Sequence, residues 1–291
     1  MEWFFYGLLS ALFFSVYYVL LKRNLNHKRA LDYIFIYVSL LAGIALFLYN
    51  KVNFDLDLGT YILLYLDSWM LLGFFIMLTL AYKHLEVSEI APLSNLTTVL
   101  TAFIGAFAFS EYLLSTNILG IALVVGGAYI IEVGVKLTKI KKLLSHLRNR
   151  YIKLVFVSSV FAALSIALDK IILQPEVIGL SMAPVDVFTL HFFTRIFCFV
   201  NMLGIMMIGK VSVAGVKQGL KKSGTAILLA TIAYTFGNLA YYKALSMQYA
   251  SLVVPLLAVS SLTTTVIAGE MFHEHKLKQK IIAAAIMIIG V

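Results

Sequence analysis

The chain has 291 residues, 62% of them hydrophobic and 13% charged, and its mean hydropathy is +0.95. A soluble domain is nearer half apolar and a quarter charged, so a water-soluble fold is excluded and lipid must be the solvent. The net charge of +9 does not point to nucleic acid, because the basic residues sit at the ends of apolar runs and no soluble basic domain carries them.

A spanning helix needs about 20 apolar residues. The chain opens Met1-Glu2-Trp3 with no basic segment and no small-residue cleavage site before Lys22-Arg23, so its first apolar run reads as a membrane helix rather than a signal peptide. Apolar runs follow at 3–21, 31–49, 60–82, 88–110, 114–134, 152–174, 184–209, 223–244, 250–272 and 278–291. They are continuous rather than alternating, which selects helices over a barrel. The expectation is an all-α membrane protein of ten transmembrane helices, the last short and incomplete. Cys198 is the only cysteine, which rules out an intramolecular disulfide and argues against a cysteine-based metal site. No cofactor or metal is expected.

The longest polar stretch, 136–151, carries Lys136, Lys139, Lys141, Lys142, Arg148 and Arg150. Leu137, Ile140, Leu144, Leu147 and Tyr151 recur within it at spacings of three and four. That pattern suits a basic amphipathic helix lying on anionic lipid; a solvated linker with a helical tendency is the alternative. Lysine and arginine concentrate in the odd-numbered connections, among them Lys22, Arg23, Lys217, Lys221, Lys222 and Lys278. The positive-inside rule then puts both termini outside the cytoplasm.

Shifting the chain by 163 residues aligns Ala81 with Ala244, Ser88 with Ser251, Pro92-Leu93 with Pro255-Leu256, Thr101 with Thr264 and Glu111 with Glu274. Earlier segments align at smaller shifts: Lys22 meets Lys170 and Asp32 meets Asp186. Residues 1–135 and 152–291 therefore read as two copies of a five-helix unit joined by the basic connector. An odd number of spans per copy makes the repeat an inverted one, an arrangement associated with secondary transporters whose sites lie between the halves.

The pattern Ala81…Val87-Ser88…Pro92-Leu93…Glu111…Gly120…Gly127, echoed as Ala244…Ala250-Ser251…Pro255-Leu256…Glu274…Ala283…Gly290, resembles the EamA repeat of the drug/metabolite transporter superfamily. Ala283 departs from the glycine expected in the last helix. The resemblance implies a ten-helix bundle in the cell membrane with a central cavity, helices 5 and 10 at its periphery, and secondary transport of small metabolites, with export the family's suggestion. It also implies cytoplasmic termini, against the charge bias.

Arg195 lies near the middle of the seventh run, where a charge is costly and usually functional. His191 lies one turn earlier on the same face. The repeat places Leu41 and Tyr37 at the matching positions, so this polar pair is an addition to one half. A substrate carboxylate is one use for it; an internal ion pair with Asp169 is the other. Tyr234, Asn238 and Tyr241 form a stripe on helix 8, suited to a wet cavity or to interhelical hydrogen bonds. Asn95 and Thr98 on helix 4, like Ser261 on helix 9, are ligands or interhelical glue. Asp169 and Lys170 are candidates for coupling to a cation or proton, with a boundary ion pair as the bland alternative. Pro92 and Pro255 are read as opening helices 4 and 9, and Glu111 and Glu274 as carboxylates on the free amides of the helices that follow them.

These features point to alternating-access transport of a small metabolite, with amino acids or organic acids favoured by Arg195. An organophosphate or nucleotide-sugar exchanger would need more cavity cations. A polytopic membrane enzyme or signalling protein would need a catalytic constellation or an extramembrane domain, and the sequence holds no phosphate loop, zinc spacing or nucleophile elbow. No enzyme activity is expected. Gly120, Gly126 and Gly127 permit close helix packing within a monomer or across a homodimer.

Overall fold

The computed structural model describes residues 2–25, 30–111, 119, 120, 122, 123, 149–208, 211–275 and 277–289. In chain order the helices are α1 (Glu2–Leu25), α2 (Ala30–Leu46), α3 (Leu58–His84), α4 (Val87–Leu93), α5 (Leu96–Ala108), α6 (Arg150–Leu173), α7 (Val187–Met207), α8 (Val213–Leu245), α9 (Ala250–Leu257), α10 (Val259–Met271) and α11 (Leu277–Ile289). Among the described residues seven helical stretches are long and apolar enough to cross a membrane, counting α4–α5 and α9–α10 as one each, and α2 is a shorter apolar helix. No strand occurs among them. The fifth expected span and the basic connector up to residue 148 lie outside the described residues. The last, α11, has 13 described residues.

The expected runs 88–110 and 250–272 are each broken, at Ser94–Asn95 and at Ala258. Pro92 and Pro255 sit inside the short helices α4 and α9 rather than opening them. A proline inside a helix, as Pro255 is in α9, cannot donate to the carbonyl four residues back, which weakens the short helix. Lys217, Lys221 and Lys222, expected in a connection, instead form an exposed segment of α8. This segment is set off from the rest by the non-helical Ser223, φ −148° and ψ 17°.

Apolar residues remain in quantity on the outside. On α1, Phe5, Leu8, Leu12 and Val16 are exposed at spacings of three and four, while Ala11, Phe14 and Tyr17 on the other side are buried. Lipid takes the first stripe and the bundle takes the second.

The packing is reciprocal between the two halves of the chain. α1 packs on α8 and α6 on α3; α2 packs on α8 and α7 on α3; α4 packs on α10 and α9 on α5. Each contact becomes its partner when the halves are exchanged, the signature of a pseudo-two-fold relation. Close approach needs small residues at the crossings. A Cβ on Gly237 of α8 would come within 3.1 Å of Phe13 and Phe14 of α1.

Side-chain bonds repeat the pattern. The Val87 and Ser88 amides donate to the Glu274 carboxylate at 2.8 Å each, and the Ser88 hydroxyl joins them. The Ala250 and Ser251 amides donate to Glu111 at 3.1 Å each. Each carboxylate thus crosses to the other half; the helix expected to follow Glu111 lies outside the described residues. The reason is local. Ser110 and His273 adopt left-handed φ values of 53° and 51° at the ends of α5 and α10, so the Glu111 and Glu274 amides turn back to the carbonyls of Gly105 and Gly269 and their side chains are redirected. Gly105 is needed here, because its Cβ would sit 2.6 Å from the Glu111 carboxylate.

Lysines close the same turns. Lys22 donates to the Tyr82 and Leu85 carbonyls at 2.7 Å each. Lys170 donates to the Leu245 and Gln248 carbonyls at 3.1 and 2.8 Å, the same pair shifted by 163. Lys280 adds an ion pair with Glu86 and lies 3.7 Å from Glu89 and 4.0 Å from Glu274. Glu111→Ala strands two buried amides, at a cost of about 1–3 kcal/mol. The detergent-purified variant should therefore melt below the wild type, and identical melting curves would show that the bond contributes nothing.

Candidate functional site

A cavity of ≈140 Å³ opens between the halves. Its apolar wall includes Phe14 and Tyr18 of α1, Leu71 and Phe74 of α3, and Ile166 of α6. Its polar wall includes Asp169, Asn238, Tyr241 and Tyr242 from the second half, and Asn95 and Thr98 from the first. Asn95 reaches the cavity because it stands at the break between α4 and α5, and its Nδ2 donates to Ser261 Oγ at 2.9 Å. No lysine or arginine is among the described residues of the wall, and Asp169 is its one carboxylate.

Arg195 and His191 are not on the wall. Arg195, fully buried, stands behind Asn238 and Tyr242: its Nη2 donates to Asn238 Oδ1 at 2.6 Å and lies 3.4 Å from the Tyr242 hydroxyl. Its guanidinium carbon sits 5.4 Å from the centre of the Tyr234 ring, a cation–π contact. Tyr234 is in turn held by Tyr17, Phe75 and Phe14, with ring centroids 5.0, 5.4 and 5.5 Å away. His191 Nδ1 lies 3.0 Å from Asn238 Oδ1, so it donates and the ring is the Nδ1–H tautomer. Asn238 Oδ1 is thereby occupied by two donors, and its amide nitrogen is the atom left for a ligand.

The two coupling candidates diverge. Lys170 turns to the carbonyls of residues 245 and 248 and to Gln174, away from Asp169, so the two form no boundary ion pair. Asp169 faces the cavity with Oδ1 free of any protein donor. Tyr242 lines the cavity with it, and one turn earlier on α6 Ser165 meets a residue the sequence reading passed over, Asp67. Asp67 is fully buried on α3 and accepts from the Ser165 hydroxyl. The signal for it was present: an acid nine residues beyond Leu58, within a long apolar run, meets the criterion that singled out Arg195. Tyr242 and Ser165 were missed as well; each is four residues from a residue that was found, Asn238 and Asp169.

No nitrogen–oxygen contact within 4.0 Å links Arg195 to Asp67 or Asp169. The Nε and Nη1 of Arg195 have no hydrogen-bond partner. The matching positions in the other half are Ala230 for Asp67, Leu21 for Asp169 and Leu41 for Arg195, all buried and apolar. The shared frame therefore does without these charges, and burying them is expensive.

Residues 1–133 match the model of the EamA-like transporter family. Over that stretch the chain is similar to this family, which lies within the drug/metabolite transporter superfamily. Members of the family are multi-pass membrane transporters rather than enzymes. No curated protein matches the sequence. The fold of the EamA-like chain is found again in a solved structure described as "Crystal structure of protein". That likeness covers 98% of this chain and 93% of the other, with a TM-score of 0.67 at 14% identity, a likeness of fold alone.

Removing the single cation from this cluster leaves buried carboxyls uncompensated. Arg195→Leu should destabilise the protein by about 3–5 kcal/mol, read as a lowered melting temperature. Adding Asp67→Asn to it should recover part of the loss; a double variant less stable than the single one would show that the two residues are not electrostatically linked.

Proposed function

We propose that this EamA-like protein is a secondary active transporter of small metabolites, amino acids foremost, working by alternating access between two inverted five-helix repeats of a ten-span bundle in the cell membrane. The observation that carries this reading is the cavity between the halves whose one wall carboxylate, Asp169, has an oxygen without a protein donor. An ammonium group supplies the missing donors at Asp169. A carboxylate takes the Asn238 amide nitrogen and the Tyr241 hydroxyl, which lacks a partner, with the positive charge of Arg195 behind them. Arg195 and His191 then act as positioning residues through Asn238, Tyr234 anchors Arg195, and Asn95 and Thr98 complete the opposite wall. Organic acids without an amine are disfavoured by Asp169. Phosphorylated sugars and nucleotide sugars are disfavoured by the lack of cations among the described wall residues.

The reciprocal packing supports a repeat whose halves rock about the cavity, since a pseudo-two-fold frame offers two equivalent arrangements with access from opposite sides. The broken helices α4–α5 and α9–α10 supply the bending points. The basic stretch 136–151 is assigned to anionic lipid at the membrane surface, and the protein acts as a monomer or a homodimer.

The test is counterflow in proteoliposomes with labelled amino acids and organic acids. Saturable counterflow of at least one amino acid is expected, reduced at least about tenfold in Asp169→Asn, equivalent to about 1.4 kcal/mol of lost interaction. Equal counterflow by wild type and variant would remove Asp169 from the site. Transport of organic acids in preference to amino acids would overturn the substrate class.

A further inference from the structure

Asp67 and Asp169 come from different halves of the chain, yet they meet at one helix contact: the Asp67 carboxylate accepts from the Ser165 hydroxyl, one turn before Asp169 on α6. Each has one buried oxygen, Oδ2 of Asp67 and Oδ1 of Asp169, to which no protein group donates. Two ionised carboxylates repel at one contact; one proton between them turns the repulsion into a hydrogen bond. The charge balance agrees. Arg195 contributes +1, two ionised carboxylates would contribute −2, and a single proton brings the cluster to zero, the state a membrane interior favours.

The other ionisable groups around the pair leave Arg195 as its one cation. On α7, His191 is neutral and donates to Asn238, while the Cys198 thiol donates to the Ser68 carbonyl at 3.1 Å. On α8, Tyr234, Tyr241 and Tyr242 present buried phenols, as does Tyr37 of α2. On α1, Tyr17 and Tyr18 face the same aromatic group. Lys170 is committed to backbone carbonyls. On α3, Ser68 accepts from Asn201 at 3.0 Å and carries no charge.

We propose that Asp67 and Asp169 hold one proton between them and form the coupling site, exchanging that proton for the ammonium group of the substrate. The proposal rests on the reading of Asp169 as an amine-binding residue. When an ammonium group arrives at Asp169, it takes over the neutralising charge. The O–H bond of the shared proton breaks and the proton leaves through the cavity to water on the side then open. On the opposite side the reverse occurs: the substrate departs with its charge and one proton returns. One amine thus moves against one proton, and an empty, unprotonated pair keeps an uncompensated negative charge that resists the change of access. Because the pair joins α3 to α6, occupancy is felt where the halves meet.

Two measurements test this separately from the transport assignment. Infrared difference spectra of the purified protein at pH 7, against each of Asp67→Asn and Asp169→Asn, should show a protonated-carboxyl C=O band that disappears in both variants, since either remaining aspartate is then ionised beside Arg195. A band surviving in one variant would mean a privately held proton and would overturn the sharing. Asp169→Glu, which restores an acid, should regain the band if loss in Asp169→Asn reflects chemistry rather than misfolding. In proteoliposomes loaded with a pH dye and given an equimolar mixture of the twenty amino acids, the wild type should move protons opposite to substrate, and Asp67→Asn should lose at least about tenfold of that movement. Amino-acid counterflow without proton movement in the wild type would overturn the coupling and leave the transporter standing. Absence of any counterflow would overturn both the amine reading and the coupling built on it, with the infrared band still deciding the shared proton.

Discussion

Wherever a chain turns at the end of a membrane helix, a few amides and carbonyls lose their helical partners, and lipid offers no replacement. Here the turns between α3 and α4 and between α8 and α9 are completed from outside themselves. Lys22 and Lys170 take the carbonyls at the end of the preceding helix, each from within its own half. Glu274 and Glu111 take the amides at the start of the next helix, each from the opposite half. The first interaction holds a half together and the second ties the halves to each other. The short helices α4 and α9, the breaks behind them and the cavity between them all depend on these crossed carboxylates.

The frame was largely legible in the sequence. A proline and a glutamate separated by 19 residues in both copies are hard to obtain by chance, and they mark the short helix and its distant cap. Hydropathy located most of the described helices to within a few residues, because lipid-facing and core-facing residues are both apolar; α8 begins ten residues before its expected run, in a charged segment that hydropathy reads as a connection. The breaks were not legible, since hydroxyl residues such as those around Asn95 and Ala258 also occur inside unbroken spans. The crossing of Glu111 and Glu274 was also hidden. It depends on left-handed backbone at Ser110 and His273, residues whose types do not announce it.

The site was legible in part. Reading it as polar residues in apolar runs found Arg195, Asn238 and Asp169, but put Arg195 foremost. Burial separates them into a wall and a layer behind it: Asn238 and Asp169 meet the cavity, while Arg195 and His191 hold Asn238 from the rear. Asp169 and Lys170, adjacent in sequence, face opposite tasks because consecutive helical residues point about 100° apart. Lys170 has a counterpart in Lys22 and belongs to the frame. Asp169 has only Leu21 opposite it, so the shared frame does without its charge. Internal symmetry therefore separates the charges the frame repeats from those it does not.

The symmetry is broken once in the frame itself. On the side of Glu274, the turn also carries Lys280 with Glu86 and Glu89; the residues 163 positions away from these are Asn117, Tyr249 and Leu252, none of them charged. Glu86 and Glu89 keep about a third of their side-chain surface open, 32% and 37%, so dissolved ions reach this cluster. The crossed carboxylate Glu274 is thus backed by charges that dissolved salt can screen, and the sequence offers Glu111 no charged residues at the matching positions.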